Sequence, residues 1–530
     1  MKNKIFLLLI IQTLFSVETM FAQITFQKTI GGGNHDEGNS VQQTTDGGYI
    51  IAGSKSSSGG TNDVYLIKTN SNGNTLWTKT FGGTGSDAGY SVQQTTDGGY
   101  IIAGGIESFS PPHMDVYLIK TDANGDTLWT KRFGENNDDL GNSVKQTTDG
   151  GYIITGWSKS FGSGYYEVYL IKTDVNGNLL WSKIYGGFTI DIGSSVQQTA
   201  DGGYIIAGYT RSFVQAYFDV YLIKTDANGN ALWTKTFGGT VVEKGYSVQQ
   251  TTDGGYIIAG ETWSFGAGGA DVYLLRTDAN GNSLWAKSFG GANDDYGYSV
   301  QQTADGGYIV TGYTNSFGAG DNDVYLIRTD ANGDSLWTKT FGGTNDDWGY
   351  TVQQTADGGY IITGLTYSFG AVTGNVYLIK TDSSGNSGCN EGNPVTIVTT
   401  PATIGLNAAT IVTSAATVVT TPATIVGSGG TVTTLCITTG VPPIFNLQSS
   451  IFNISPNPFS NEINISSTAN DLSEIILYDI TSRKLLQQTF TGSASINTSQ
   501  LSKGIYLYEV RNNPDSYRDG IIKKGKVVKE

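Results

Sequence analysis

Seven acids recur at one place in a repeated stretch. Asp36, Asp87, Asp139, Asp191, Glu243, Asp295 and Asp347 each stand two residues before a recurrent glycine. Carboxylates gathered around a common axis could hold Ca²⁺, which prefers many oxygen ligands, or a cationic ligand. The same residues have a second reading, in which each acid accepts backbone N–H bonds and fixes its own loop without a shared ion. Other metal or nucleophilic chemistry has little to work with, since the 530-residue chain holds 2 His and 2 Cys. His35 and His113 fall in loop sequences with no flanking Ser or Cys and read as solvent-exposed. Glycoside hydrolysis needs two acids about 5 to 10 Å apart in unlike environments. The acids that depart from the repeat are Glu107, Glu167, Glu243 and Glu261, and the sequence pairs none of them. No catalytic or cofactor-binding residue is assigned.

The acids are carried by a repeat whose Asp-Gly-Gly-Tyr core begins at Asp46, Asp97, Asp149, Asp201, Asp253, Asp305 and Asp357. Self-similarity at this length is the signature of a repeat architecture. Each copy has four runs of strand character: Ser-Val-Gln-Gln-Thr, Gly-Tyr-Ile-Ile-Ala-Gly, Asp-Val-Tyr-Leu-Ile-Lys and Leu-Trp-Thr-Lys-Thr-Phe. Thr-Ala-Asp-Gly-Gly joins the first two and Thr-Asp-Ala-Asn-Gly-Asn the last two, both supplying the positive-φ residues of short hairpins. The third run, for example Val220 to Ile223, is apolar on both faces, so its sheet must be covered on both sides. Seven four-stranded sheets stacked in a ring satisfy this, and the expected fold is an all-β, seven-bladed β-propeller. The short polar run would line a wet channel and the Trp run would be outermost.

Trp77, Trp129, Trp181, Trp233, Trp285 and Trp337 then wedge between neighbouring blades, where truncation to Ala would cost roughly 3 to 5 kcal/mol at a fully buried site. The alternative is an exposed aromatic platform for sugar stacking. The seventh copy has no Trp run, but Thr25 to Gly31 aligns with Leu76 to Gly82, and Phe26 takes the Trp position. The N-terminal segment is therefore expected to supply the outer strand of the last blade. A phase in which each blade begins with its Trp run would need no such closure.

With 38% hydrophobic residues the chain has material for a core, and 73 Gly with 30 Tyr suit many short strands. A formal charge of -15 repels polyanions, which argues against nucleic-acid binding. Lys2 and Lys4, the apolar run Ile5 to Val17 and Ala22 before Gln23 read as a secretory signal over 1–22. That run is too short to span a bilayer comfortably, and no other candidate span exists in the mature chain. The array is assigned to 23–387. From 388 to 446 the composition turns to Thr, Val, Ala and Ile, which reads as an extended linker or stalk. Cys389 and Cys436 bracket it, and in an exported protein such a pair suggests a disulfide. Residues 447–530 form a last domain.

The run Tyr273-Leu-Leu-Arg-Thr-Asp-Ala-Asn-Gly-Asn-Ser-Leu-Trp285 resembles the quinoprotein-type propeller repeat, and the Gly-Tyr-Ser-Val and Asp-Val-Tyr stretches resemble kelch repeats. In kelch the Gly pair follows the second strand, whereas Gly306 and Gly307 precede it. Residues 24–386 as a whole are similar to the Asp-Gly-Gly-Tyr propeller arrays of secreted Bacteroidota proteins. Ile454-Ser-Pro-Asn-Pro-Phe-Ser460, Glu474 to Asp479, Leu501 to Val510 and the basic run Lys523 to Lys529 closely resemble the type A C-terminal sorting domain of the type IX secretion system. That resemblance implies a small Ig-like β-sandwich, the secretion and sorting machinery as partner, and a chain secreted or displayed on the cell surface. The expected role of the propeller is binding of an unknown extracellular ligand, a glycan or a protein. The alternative from another class is a polysaccharide-active enzyme with acids on the variable-loop face.

Overall fold

The computed structural model describes residues 23–529 apart from 58–59, 109–112, 215, 371–372, 402–403, 408–410, 415–417, 421–424, 428–430, 440–452, 456–460, 467–471, 480–482, 492 and 513–520. The signal reading of 1–22, Pro111, Pro112, Gln215 and the Pro-Asn-Pro of 456–458 lie outside these residues. Every regular element among the described residues is a strand, and the chain divides into two compact units, Met1–Gly440 and Val441–Glu530.

The first unit is built from seven antiparallel sheets, numbered here in chain order. Sheet 5 is representative, with an inner strand Glu243–Gln250, a second strand Tyr256–Thr262, a third strand Asp271–Thr277 and a fourth strand Ser283–Gly290. The turns follow from the sequence chemistry. In Thr44-Thr-Asp-Gly-Gly48, Asp46 Oδ1 accepts from Gly48 N at 3.0 Å and from Thr44 Oγ1 at 2.5 Å. Gly47 sits at φ +81°, a conformation side chains resist, and a Cβ on Gly48 would stand 2.1 Å from the Thr69 carbonyl oxygen. The buried Lys68 of the third strand reaches back to Asp46 at 2.9 Å, which explains how a lysine can end an otherwise apolar strand.

Consecutive sheets pack face to face. Ile205, Val220 and Leu222 of sheet 4 share one core with Tyr256, Ile258 and Tyr273 of sheet 5. Sheet 7 follows the same plan with one substitution: its inner strands are Asp347–Gln354, Tyr360–Thr366 and Asn375–Thr381, and its fourth strand is Ile24–Gly31. Phe26 pairs with Lys380 as Trp337 pairs with Arg328 in sheet 6. Sheet 7 also packs on sheet 1, where Phe26, Ile361 and Val376 share a core with Val41, Tyr49 and Ile51.

The fourth strand is not the outer edge. Composition pointed to a stalk over 388–446, but the chain there supplies short strands that add a fifth member to each sheet. Glu391–Gly392 pairs with sheet 6, Ile397–Thr399 with sheet 5, Ile404–Asn407 with sheet 4 and Ile411–Ser414 with sheet 3. Val418–Thr420 follows on sheet 2, Ile425–Gly427 on sheet 1, and Thr431–Thr439 on the Ile24–Gly31 strand of sheet 7. The segment thus runs back past the seven sheets as a belt, covering edges that would otherwise present unpaired N–H and C=O groups. Cys389 and Cys436 are disulfide-bonded at a sequence separation of 47, with Cα atoms 6.3 Å apart.

The second unit has a three-stranded sheet from Asn453–Ser455, Glu462–Ser466 and Ser493–Asn497, and a four-stranded sheet from Leu472–Tyr478, Lys484–Thr491, Gly504–Asn512 and Ile521–Lys529. Ile463, Ile465 and Ile496 of the first meet Ile475, Leu477, Phe490 and Val510 of the second in one buried cluster.

Candidate functional site

The inner strands face one another across a cavity of about 330 Å³ lined by Ser, Gln and Tyr side chains. Three tiers of side chain to backbone hydrogen bonds join neighbouring sheets here. In the first, Ser40 Oγ accepts from Val92 N at 3.1 Å, and the bond repeats through Ser91, Ser143, Ser195, Ser247 and Ser299 to Thr351, which accepts from Val41 N of sheet 1 at 3.0 Å. In the second, the Gln43-type side chain accepts from the turn of the preceding sheet, as Gln94 Oε1 does from Thr45 N at 2.9 Å, and this too occurs in all seven. In the third, the Gln42-type side chain accepts from the following sheet, as Gln42 does from Gln94 N at 2.6 Å. The Ser-Val-Gln-Gln run is therefore an inter-sheet clasp as well as a channel lining. The third tier is interrupted once, at Lys145, which stands where the other copies have Gln.

Each inner strand carries a β-bulge between the Gly and the Ser of this run, for example Gly245 and Ser247. A bulge leaves one residue outside the ladder and turns its side chain, and bulges are frequent beside functional sites. The bulged residues are Asn39, Tyr90, Asn142, Ser194, Tyr246, Tyr298 and Tyr350. The seven copies differ at this position: Tyr246, Tyr298 and Tyr350 stand on the consecutive sheets 5, 6 and 7, while Tyr90 stands alone between Asn39 and Asn142. Tyr246 and Tyr298 have ring centroids 5.2 Å apart, and Tyr298 and Tyr350 5.9 Å. Tyr313 stacks on Tyr296 at 4.7 Å and continues to Trp348, Tyr367 and His35. Tyr209 joins the other end, where Lys244 Nζ lies 5.5 Å from its ring centroid. These aromatics are half-buried, so each keeps part of its surface available.

The departing acids separate by role. Glu261 belongs to this aromatic group: it is 2% exposed, accepts from Tyr246 Oη at 2.8 Å and pairs with Lys244 at 2.9 Å. Glu107 accepts from Ser86 N and ties its own loop. His35 is half-buried, not fully exposed, and its hydrogen bond with Glu37 holds its pKa above the usual imidazole range.

The seven recurrent acids do not line the cavity. All are buried in the connections between sheets, where each accepts from the backbone N–H four residues upstream, Gly32 for Asp36 at 2.7 Å and Gly291 for Asp295 at 2.8 Å. Ser212 and Ser316 hydroxyls add bonds to Asp191 and Asp295 at 2.6 and 2.8 Å. This geometry supports loop fixing by each acid. Among the described residues no group of three or more metal-ligating side chains converges.

A second set of acids, at the start of the third strand, meets the first: Asp63, Asp115, Glu167, Asp219, Asp271 and Asp323, with Asn375 in sheet 7. A Cβ placed on Gly82 would lie 2.0 Å from Asp63 Oδ1 and 2.5 Å from Asp87 Oδ2, so the two carboxyl groups crowd one glycine. Burial, then the neighbouring carboxylate Glu243, pushes Asp219 up to about 7; burial raises Glu167 and Asp271 to about 7 as well, and Asp323 to about 6. Burial also pushes Asp139 up to about 6. The recurrent Asp-Val-Tyr was the available signal for these partners.

The tryptophans are half-buried side chains reaching the next sheet. Trp181 meets Tyr204 at 6.0 Å and covers Gly229 of the following Asn-Gly turn, and Phe26 treats Tyr49 and Gly73 in the same way.

With this geometry in view, comparison with known proteins divides the chain. Residues 453–524 match the secretion system C-terminal sorting domain. The chain therefore carries a type IX sorting domain, which engages the type IX machinery and directs the protein to the cell surface or the extracellular space. No helix among the described residues is long and apolar enough to cross a membrane. The regulatory protein FlaEY of Caulobacter vibrioides is 29% identical over 144 residues, covering 23% of this chain and 15% of that protein. Among solved structures, Sqt1 from Chaetomium thermophilum aligns at 12% identity and TM-score 0.38 over 63% of this chain and 81% of its own. The extracellular domain assigned to a hybrid two-component system of B. thetaiotaomicron aligns at 10% identity and TM-score 0.24 over 93% and 75%. These structural likenesses are too loose to carry an argument.

Proposed function

We propose that the seven sheets form a seven-bladed β-propeller, with Ile24–Gly31 completing the last blade, and that this propeller is an extracellular binding module. Its ligand meets the channel at the aromatic side of its mouth. In support of the fold, the bonds that join sheets 1 and 2 also join sheets 7 and 1. In support of the site, three of the four bulged tyrosines, Tyr246, Tyr298 and Tyr350, stand on consecutive sheets and join one aromatic group, an asymmetry that sheet packing does not need. Half-exposed aromatic rings with a polar tip suit the apolar face and hydroxyl rim of a sugar ring. A polysaccharide-active enzyme would need two carboxylates opposed across a substrate; the carboxylate pairs here hold loop N–H groups away from the cavity.

The test is a glycan array on the exported chain, with Tyr298→Ala as the control. Binding that falls about tenfold or more in the variant is the expected result. An empty array, or binding that Tyr298→Ala leaves intact, would remove the aromatic mouth as the site.

A further inference from the structure

Lys145 interrupts an otherwise regular lining, and the interruption carries a cost. Six of the seven copies place Gln at this position, and each of those side chains accepts a backbone N–H of the next sheet. Lysine has no acceptor to offer, so Gln198 N loses the partner that its counterparts have. The substitution also brings a positive charge into a confined channel, and burial holds the Lys145 pKa below the usual lysine value. Neither change improves packing. Residues that break a local rule without a structural gain are where function is expected.

The surroundings specify what the charge is for. The cavity that Lys145 lines contains no Asp or Glu, although the chain as a whole has a formal charge of -15. Its other polar groups include the amides of Gln197 and Gln249 and the hydroxyls of Ser194 and Tyr298, all able to donate. No hydrogen bond or ion pair engages the Lys145 ammonium among the described residues. Lys145 lies three residues along its strand from the bulged Asn142, about 10 Å deeper than the tyrosine tier, and the long lysine stem can span much of that depth.

We propose that the channel takes a carboxylate-bearing sugar of the uronic acid class, whose ring lies on the tyrosine side of the mouth and whose carboxylate is held by Lys145. This rests on the reading of the mouth as a sugar site and adds the charge selection. A single cation among neutral donors, screened by the surrounding acidic protein, selects one carboxylate against both neutral sugars and polyanions.

Titration calorimetry on the exported chain with galacturonic acid, its neutral counterpart galactose and a peptide ending in a free carboxylate tests this, with Lys145→Gln as the variant. That variant restores the residue found in the other six sheets, so it should fold and melt no lower than the parent. The expected result is that the uronate binds more tightly than the neutral sugar, that Lys145→Gln weakens the uronate about tenfold or more, and that it leaves the neutral sugar unchanged. Equal uronate affinity in parent and variant overturns the role of Lys145 while leaving the sugar site standing. Binding of the peptide in preference to the uronate overturns the ligand class. Failure of both sugars to bind overturns the proposal together with the reading beneath it.

Discussion

Breaking the Cys389–Cys436 disulfide should measure whether the belt is part of the folded array. A cross-link stabilises by removing conformational freedom from the unfolded chain, provided that the native state already holds its two ends together. If 388–440 were a free stalk, the bridge would restrict folded and unfolded chains alike and contribute almost nothing. In the belt, the Cys389 carbonyl accepts from Gln27 Nε2 and Cys436 pairs with Gln27 in the Ile24–Gly31 strand, so both ends are held on that strand. With a sequence separation of 47, loop-closure entropy gives about 4 kcal/mol at 25 °C. An array of about 400 residues unfolding with ~2.1 cal/mol/K per residue has an unfolding entropy of about 0.8 kcal/mol/K, so 4 kcal/mol corresponds to about 5 °C in Tm. Scanning calorimetry of the oxidised chain against the Cys389→Ser, Cys436→Ser double variant reads this directly. Limited proteolysis should cut the variant first within 388–440, because the short belt strands have few bonds each. Equal melting temperatures, with no new cleavage in that segment, would falsify the belt.

Three further outcomes follow from the same geometry. Phe26→Ala removes a fully buried ring from the contact between sheets 7 and 1 and should cost about 3 to 5 kcal/mol in denaturant titration; Trp233→Ala, at a half-buried site, should cost less, and a Phe26 loss under about 1 kcal/mol would count against the N-terminal strand as part of sheet 7. The paired acids make the array more stable on mild acidification: Glu167, Asp219 and Asp271 have folded pKa values near 7, above their unfolded values, so their contribution is complete below about pH 4 and is lost as pH rises towards 7. Tm should therefore be higher at pH 5 than at pH 8, and Asp271→Asn should flatten that difference; a Tm that rises across this range refutes the pairing. Chains lacking 447–530 should accumulate in the periplasm, which fractionation of the expressing cells checks.

The parts of this molecule that the sequence discloses are those whose causes are local. Asp-Gly-Gly-Tyr and Asp-Ala-Asn-Gly-Asn announce hairpins because the Asp that accepts the turn N–H groups lies within four residues of them, and the two-faced apolar third strand announces stacking. The belt had no such announcement. Apart from Thr431–Thr439, its strands are two to four residues long, and they pair with strands often more than a hundred residues away in the chain, as Val418–Thr420 does with Gly134, Phe133 and Arg132, so no turn chemistry marks them. A trace was nevertheless present: Thr recurs every seventh residue at 396, 403, 410, 417, 424 and 431, each time beside Ile or Val. Seven extended residues reach at most about 24 Å, one step from sheet edge to sheet edge, so the period records the spacing of the sheets and not a local fold. The bulge is intermediate. Gly-Tyr-Ser-Val was visible as a motif, but only the register shift shows that its Tyr leaves the ladder and turns to the channel. Residues repeated in every copy, such as the connection acids and the Ser-Gln clasp, are spent on joining the sheets. Where one copy departs inside that clasp, as at Lys145, the joining function has been given up, and a ligand is what could hold a cation there.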